Sequence, residues 1–243
     1  MNSLIFPDWP QPKNIGACST LRIGGISLSP YDSFNLGAHV GDERACVEEN
    51  RRLLCEYAQL PEMPLWLEQV HGTDVITLSH QENQSITGDA LYSATAKKVC
   101  AIMTADCLPV LLTTVDGQEV GAAHGGWRGL YQGVLESTLA QFKAPRSQIM
   151  AWLGPAIGPS AFEVGPEVRQ AFIEKNSAFN SAFISHKDKY LANIYMLARI
   201  ILVESGVTQI YGGDFCTVTE SARFFSYRRE QKTGRMASLI WIK

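Results

Sequence analysis

The feature that most restricts this chain is the number of short apolar runs of strand length. They lie at Gly16–Leu21, Leu65–Val70, Val75–Leu78, Val99–Thr104, Val110–Val115, Glu119–Ala123, Ile149–Leu153, Gln209–Tyr211, Phe224–Tyr227 and Ala237–Ile242. Such runs outnumber the helical patterns by roughly two to one. Asp116-Gly117 between two of them reads as a hairpin turn, so the strands on either side are expected to be antiparallel. Helical periodicity is clearest in Ala192–Ser205, where Ile194, Leu197, Ala198, Ile201 and Leu202 share a face and Gly206 stops the pattern. Further helices are expected from an Asp42 N-cap to Ala58, over Leu130–Phe142 and around Glu167–Lys175. This mixture predicts an α+β fold of mixed sheets covered by helices, and argues against a doubly wound parallel sheet.

A content of 46% hydrophobic residues is enough for one substantial core, and no linker or repeat divides the chain, so one domain over residues 1–243 is expected. A formal charge of −3 with no basic run gives no field for phosphate polymers, so no nucleic-acid partner is expected. No apolar stretch approaches the ~20 residues that span a bilayer. The segment Met1–Asp8 has neither a charged nor an apolar leader pattern, so a cytoplasmic protein without membrane attachment is expected. The six cysteines are scattered without a CxxC pair, which favours reduced thiols. Cys55, Cys100 and Cys216 read as inert, apolar residues.

Three segments differ from ordinary core or loop: Glu68-Gln69-Val70-His71-Gly72, Thr104-Ala105-Asp106-Cys107-Leu108-Pro109 and Ala122-Ala123-His124-Gly125-Gly126-Trp127-Arg128-Gly129. Each sets a nitrogen or sulfur donor at the end of an apolar run, where Gly or Pro lets the chain turn sharply. Imidazole and thiolate suit zinc, and three protein ligands leave a coordination position open for water or substrate. The spacing matches no local zinc motif. Two other readings therefore stand open: His71 and His124 as satisfied histidines with Cys107 a buried thiol, or a metal-free Cys107/His124 nucleophile pair.

Other residues compete for roles. His39 lies in a turn-rich stretch that reads as a pocket wall or as a loop hydrogen-bonder, whereas His80 and His186 sit among polar residues and are expected to be solvated. Arg128 follows glycines ahead of a helix, which suits an anion or a loop-fixing ion pair. Phe224–Arg229 followed by Thr233-Gly234-Arg235 reads as strand, turn and strand, with one arginine pairing inward.

Taken together, the ordered motifs Ser19–Gly25, Ser33-Phe34-Asn35-Leu36-Gly37, Gln69–Gly72, Thr104–Pro109, His124–Gly129, Leu153–Gly158, Phe224–Arg229 and Thr233–Arg235 resemble a bacterial family. Its members are called peptidoglycan editing factors, purine nucleoside phosphorylases or laccase-domain polyphenol oxidases. The family pattern His-Ala-Gly-Trp-Arg-Gly differs here only by Gly125, a small-for-small change. The resemblance implies zinc on His71, Cys107 and His124, with copper as the other candidate metal. It also implies two mixed sheets sandwiched between helices in four layers.

By the same resemblance, the chain is expected to be a zinc-dependent phosphorylase of adenosine, inosine and methylthioadenosine that also deaminates adenosine. Its partners would be a purine nucleoside and phosphate. Asp106 would move protons beside the ligands, and Asn35 and Arg128 would bind substrate. The alternatives are a hydrolase that removes a misincorporated amino acid from a peptidoglycan precursor, by metal or by a Cys107 thiolate, and a copper polyphenol oxidase. Five histidines are too few for a multicopper cluster once two are committed. A non-catalytic metal-binding or partner-binding module is the remaining reading.

Overall fold

Two sheets stack face to face, and the apolar runs supply the contact. The computed structural model describes residues 3–79 and 86–243, so Met1, Asn2 and His80 lie outside the described residues. In chain order the strands are β1 (Leu4–Ile5), β2 (Ile15–Thr20), β3 (Val75–Leu78), β4 (Ala90–Ser93), β5 (Val99–Thr104), β6 (Leu108–Thr114) and β7 (Val120–Gly125). They continue with β8 (Ile149–Leu153), β9 (Glu163–Val164), β10 (Phe183–His186), β11 (Lys189–Ala192), β12 (Gln209–Gly212) and β13 (Met236–Ile242). The helices are α1 (Arg44–Ala58), α2 (Trp127–Gln132), α3 (Val134–Gln141), α4 (Pro166–Lys175), α5 (Ile194–Glu204) and α6 (Tyr227–Glu230).

The larger sheet runs β12-β8-β6-β7-β4-β3 and is mixed, with β12/β8 and β4/β3 parallel and the rest antiparallel. The second sheet, β1-β2-β13-β5, is antiparallel throughout. A small sheet, β10-β11-β9, lies apart from both in strand pairing.

Side-chain alternation along each strand builds the layers. In β8, Met150 and Trp152 face the core between the two sheets, while Ile149, Ala151 and Leu153 join the helix-covered core on the other side. In β5, Cys100 and Ile102 enter the inter-sheet core, and Val99 and Ala101 pack toward Leu54 of α1 with Phe34 and Leu36. Both faces are buried, so these strands read as continuous apolar runs rather than as alternating ones. Each fully buried Leu, Ile or Val contributes roughly 1.5–3 kcal/mol relative to exposure. The result is the expected α+β arrangement of two stacked sheets between helical layers.

Local readings fared unevenly. β5 and β8 fall on the expected residues, and Gly117 turns between β6 and β7 at φ 70°. Asn193 caps α5 by accepting from the Met196 N–H at 3.0 Å. The expected helix over 130–142 is instead two, because Gly133 at φ 107° ends α2 and starts α3. Glu43, not Asp42, occupies the N-cap of α1. The Asp42 carboxylate is held elsewhere, by the Ser27 hydroxyl at 2.6 Å and the Asn35 amide at 2.9 Å. Leu65–Val70 forms no strand, only the bridge of Glu68 to Thr87, since Gln69 uses its side chain to bond the Met103 main chain.

The Phe224–Tyr227 strand is also corrected. Phe224 and Phe225 are buried in an irregular segment, and Ser226 then caps α6 by accepting from the Arg229 N–H at 3.2 Å. Arg229 turns inward, as expected of one arginine there, but onto the carbonyls of Thr217, Val218 and Phe224.

Candidate metal centre

β5 belongs to one large sheet and β6 to the other, so the link Ala105-Asp106-Cys107 crosses from sheet to sheet. Cys107 therefore sits at the seam. His124 lies in β7, with its neighbour Pro109 opposite it in β6, and is 4% exposed. His71 occupies a tight turn at φ 62° and is exposed. The donor atoms of the three residues all lie within 4.8 Å of one another.

Asp89, just before β4, organises this cluster. Its buried carboxylate accepts from the N–H groups of Val70 at 3.1 Å, His71 at 2.9 Å and Gly72 at 2.7 Å, which holds the left-handed turn that presents His71. The same carboxylate lies 2.8 Å from Nδ1 of His124. That contact leaves Nε2 as the nitrogen free to ligate, and a carboxylate on the far nitrogen is the usual partner of a metal-bound imidazole. Burial alone would raise the Asp89 pKa, but the His124 contact and the backbone donors outweigh it and hold the carboxyl below its ordinary range.

The electrostatics of Cys107 follow from its neighbours. Burial pushes the thiol up, yet His124 and His71 beside it outweigh burial and bring its pKa down to about 6. Burial pushes His124 down, and Cys107 and Asp89 outweigh it and lift the imidazole to about 9. By contrast, burial drives Cys18 up to about 12 and raises Cys100 as well, which fits inert core thiols. Cys55 is raised too, chiefly by burial. Cys216 departs from the inert reading: burial raises its pKa, but hydrogen bonds from Thr219, Gly158 and Val218 bring it below the ordinary value.

The donor set fits a borderline divalent ion. Two ligands at zinc distances and a tetrahedral angle stand about 3.6 Å apart, and Cys107 Sγ lies 3.8 Å from Nε2 of His71. Gly126 faces these ligands closely: a Cβ there would meet His71 Cδ2 at 2.9 Å and Cys107 Sγ at 3.2 Å.

Two cavities meet at the cluster. One of about 410 Å³ is lined by His71, Cys107 and His124 together with His39, Gln69 and Arg235. The other, of about 210 Å³, shares His71 and Cys107 and adds Trp127, Arg128, Ile157 and Phe162. Tyr227 lines both.

The remaining candidate residues are placed differently. Asp106, at φ 96°, has both carboxylate oxygens engaged, one by the Thr217 hydroxyl and the other by the Arg228 N–H, each at 2.6 Å. It thereby ties the Cys107 turn to α6. Asn35 is fully buried and lines neither cavity; its side-chain carbonyl accepts from the N–H groups of Gly37 and Arg235, both at 2.9 Å. Arg128 is exposed and stacks 4.4 Å over Trp127. Its helix begins at Trp127 itself, so Arg128 lies in the first turn rather than ahead of it. His39 lines the larger cavity, and His186 is half-buried beside Glu163 at 3.6 Å.

Sequence reasoning missed Asp89 and Arg235 as site residues. A Gly-Asp pair before a short apolar run reads as a turn, and nothing local marks that its carboxylate is buried. Among the described residues no helix is long and apolar enough to cross a membrane.

Comparison with known proteins agrees over the full length. Purine nucleoside phosphorylase YfiH of Escherichia coli (strain K12) is 59% identical, with all of both chains covered. Purine nucleoside phosphorylase PA4543 of Pseudomonas aeruginosa is 50% identical, again over the whole of both. Among solved structures, a Neisseria meningitidis protein, NMB0706, superposes with a TM-score of 0.95 at 46% identity, covering 99% of each chain. A Bacillus licheniformis protein described as hypothetical YfiH gives 0.90 at 27% identity, with 100% of this chain and 97% of that one covered. The family model described as multi-copper polyphenol oxidoreductase laccase matches residues 16–243, and on that match and these relatives the chain belongs to this family.

Proposed function

We propose that the protein is a zinc-dependent purine nucleoside phosphorylase acting on adenosine, inosine and methylthioadenosine, with accompanying adenosine deamination. The observation that supports this most is the His71/Cys107/His124 cluster at the junction of two cavities, one of them walled by Trp127, Ile157 and Phe162. The printed names of the full-length relatives point the same way. Held by these three residues, zinc would supply Lewis acidity with an open coordination position.

The chain's own residues do the rest. Asp89 fixes the His124 tautomer and the His71 turn, and Gly126 leaves room for both ligands. The aromatic and apolar cavity suits a purine face. In phosphorolysis a phosphate oxygen bonds to C1′ of the ribose while the C1′–N9 electron pair leaves with the base, which takes up a proton from the phosphate or solvent. Asp106 acts as a positioning residue rather than a proton carrier, because both its oxygens are already in use. Zinc-loaded protein with adenosine and phosphate should release adenine and ribose 1-phosphate, and adenosine alone should yield inosine. No product at full zinc occupancy would sink the reading.

A second reading, an amide hydrolase acting on a cell-wall precursor through Cys107, draws on the lowered pKa of that thiol. It requires activity that survives chelators and is lost on alkylation of Cys107. A multi-copper oxidase finds less support: among the described residues, His71, Cys107 and His124 are the one group of the kind that could hold an ion.

A further inference from the structure

Arg235 stands beside the metal cluster with no carboxylate in ion-pair contact among the described residues, Cys107 and Asp106 acting on it only at longer range. It lines the same cavity as His71, Cys107 and His124. Its Nη1 donates to the carbonyls of Thr233 at 3.1 Å and Gly234 at 3.0 Å, and its guanidinium lies 5.9 Å from the Tyr227 ring centre. Nε and Nη2 have no acceptor among the described residues, and no carboxylate lines this cavity. Burial lowers the Arg235 pKa and outweighs the opposing pull of Cys107 and Asp106, the direction expected when a cation is desolvated without a full set of partners.

The chain nonetheless fixes this residue firmly, through a motif that the metal ligands do not use. The Arg235 N–H donates to Asn35 Oδ1 at 2.9 Å across 200 residues of sequence, and its carbonyl accepts from the Leu36 N–H at 3.1 Å. Gly37 makes room for the side chain: a Cβ there would stand 2.7 Å from Arg235 Cγ. The Asn35-Leu36-Gly37 segment thus seats the Arg235 main chain and the base of its side chain.

Other arginines near the site are occupied or differently placed. Arg51 donates Nε and Nη2 to the Leu36 carbonyl at 3.0 and 2.9 Å and stacks 4.3 Å over Trp66. Arg228 donates to the carbonyls of Ala161 and Glu163 at 3.4 and 3.1 Å. Arg128 stands in the smaller cavity against Trp127.

We infer that Arg235, with the imidazole of His39 on the same cavity wall, binds a tetrahedral oxyanion, and that this anion is inorganic phosphate. The identity of the anion rests on the phosphorolysis reading above; the anion site itself rests on the unpaired guanidinium. A guanidinium fork with two free N–H directions matches two phosphate oxygens. The smaller cavity, with Trp127, Ile157 and Phe162, is then left for the base.

The test uses zinc-loaded protein and inorganic phosphate. Phenylglyoxal modification followed by peptide mass spectrometry should show phosphate protecting Arg235 while Arg128 stays reactive. Protection of Arg128 with Arg235 unprotected would overturn the assignment. Acetate at equal concentration should protect weakly, and equal protection by acetate would overturn phosphate as the ligand. Arg235→Gln should weaken phosphate binding, by calorimetry, about tenfold or more, with Arg235→Lys intermediate; unchanged binding in a folded Gln variant would overturn the site. If that variant does not fold, protection in the wild-type protein decides.

The two readings fail separately. Phosphate protection of Arg235 without formation of ribose 1-phosphate would sink the reaction and leave the anion site standing. Phosphorolysis with an unchanged phosphate KM in Arg235→Gln would do the reverse.

Discussion

Nδ1 of His124 lies 2.8 Å from Oδ1 of Asp89, and the same carboxylate holds the backbone of His71. One buried acid thus orients two of the three candidate ligands, although it belongs to none of the motifs that contain them. Asp89→Asn would set an amide NH₂ against donors that now face a carboxylate. Metal affinity is expected to fall roughly 10–100-fold, read by competition with a chromophoric chelator. Urea denaturation of the metal-free protein should show a loss of about 1–3 kcal/mol from the backbone donors left unpaired. Unchanged affinity would remove Asp89 from the site.

Gly126→Ala tests the space beside the ligands. A methyl group there would press on the His71 ring and Cys107 sulfur, so one or both must move. Zinc content after dialysis should drop, while the melting temperature of the metal-free protein changes little, because the clash is with side chains at a cavity wall. Full zinc retention would show that the ligands have slack.

The pH dependence of Cys107 follows from its neighbours. In metal-free protein its alkylation by iodoacetamide should have a midpoint at about 6, below the ordinary thiol value, because His124 and His71 favour the thiolate. The sign is definite: the rate is high above that pH and falls below it as the thiol is protonated. Cys18 and Cys100, raised by burial, should stay unlabelled at neutral pH in the folded protein. Zinc should protect Cys107, and acid should release zinc as protons compete for the ligands. A midpoint at the ordinary thiol value would contradict the electrostatics.

Thr217→Val separates the two roles open to Asp106. The substitution removes one of the two bonds to its carboxylate but leaves the acid itself. If Asp106 acts by positioning, Thr217→Val and Asp106→Asn should lower kcat in the same direction with the pH profile unmoved. A profile that loses an acidic limb only in Asp106→Asn would make the carboxylate a proton carrier.

Much of this protein is legible along the chain, and the limit has a physical cause. Strands such as β5 and β8 are buried on both faces, so their residues read as unbroken apolar runs with no knowledge of the partner layer. The hairpin at Asp116-Gly117 and the face of α5 are equally local, since turn chemistry and helical spacing depend on near neighbours. His71, Cys107 and His124 stand out because donor side chains at the ends of apolar runs are unusual whatever surrounds them.

Tertiary structure alone decided the rest. Whether a helix continues through Gly133, or whether Phe224–Tyr227 becomes a strand, depends on what packs there, and with the Asp106 carboxylate and the Ser226 cap the chain starts α6 at Tyr227 instead. Nothing local marks Asp89 or Arg235 as site residues, because charge is normally solvated and only a distant partner makes its burial tolerable. Asp89 finds that partner in His124, 35 residues away, and Arg235 takes its seat from Asn35, 200 residues away. Composition and periodicity determined that buried strands and helices would form a mixed fold and marked three donor side chains at the ends of apolar runs; long-range hydrogen bonds determined which charged groups face those donors.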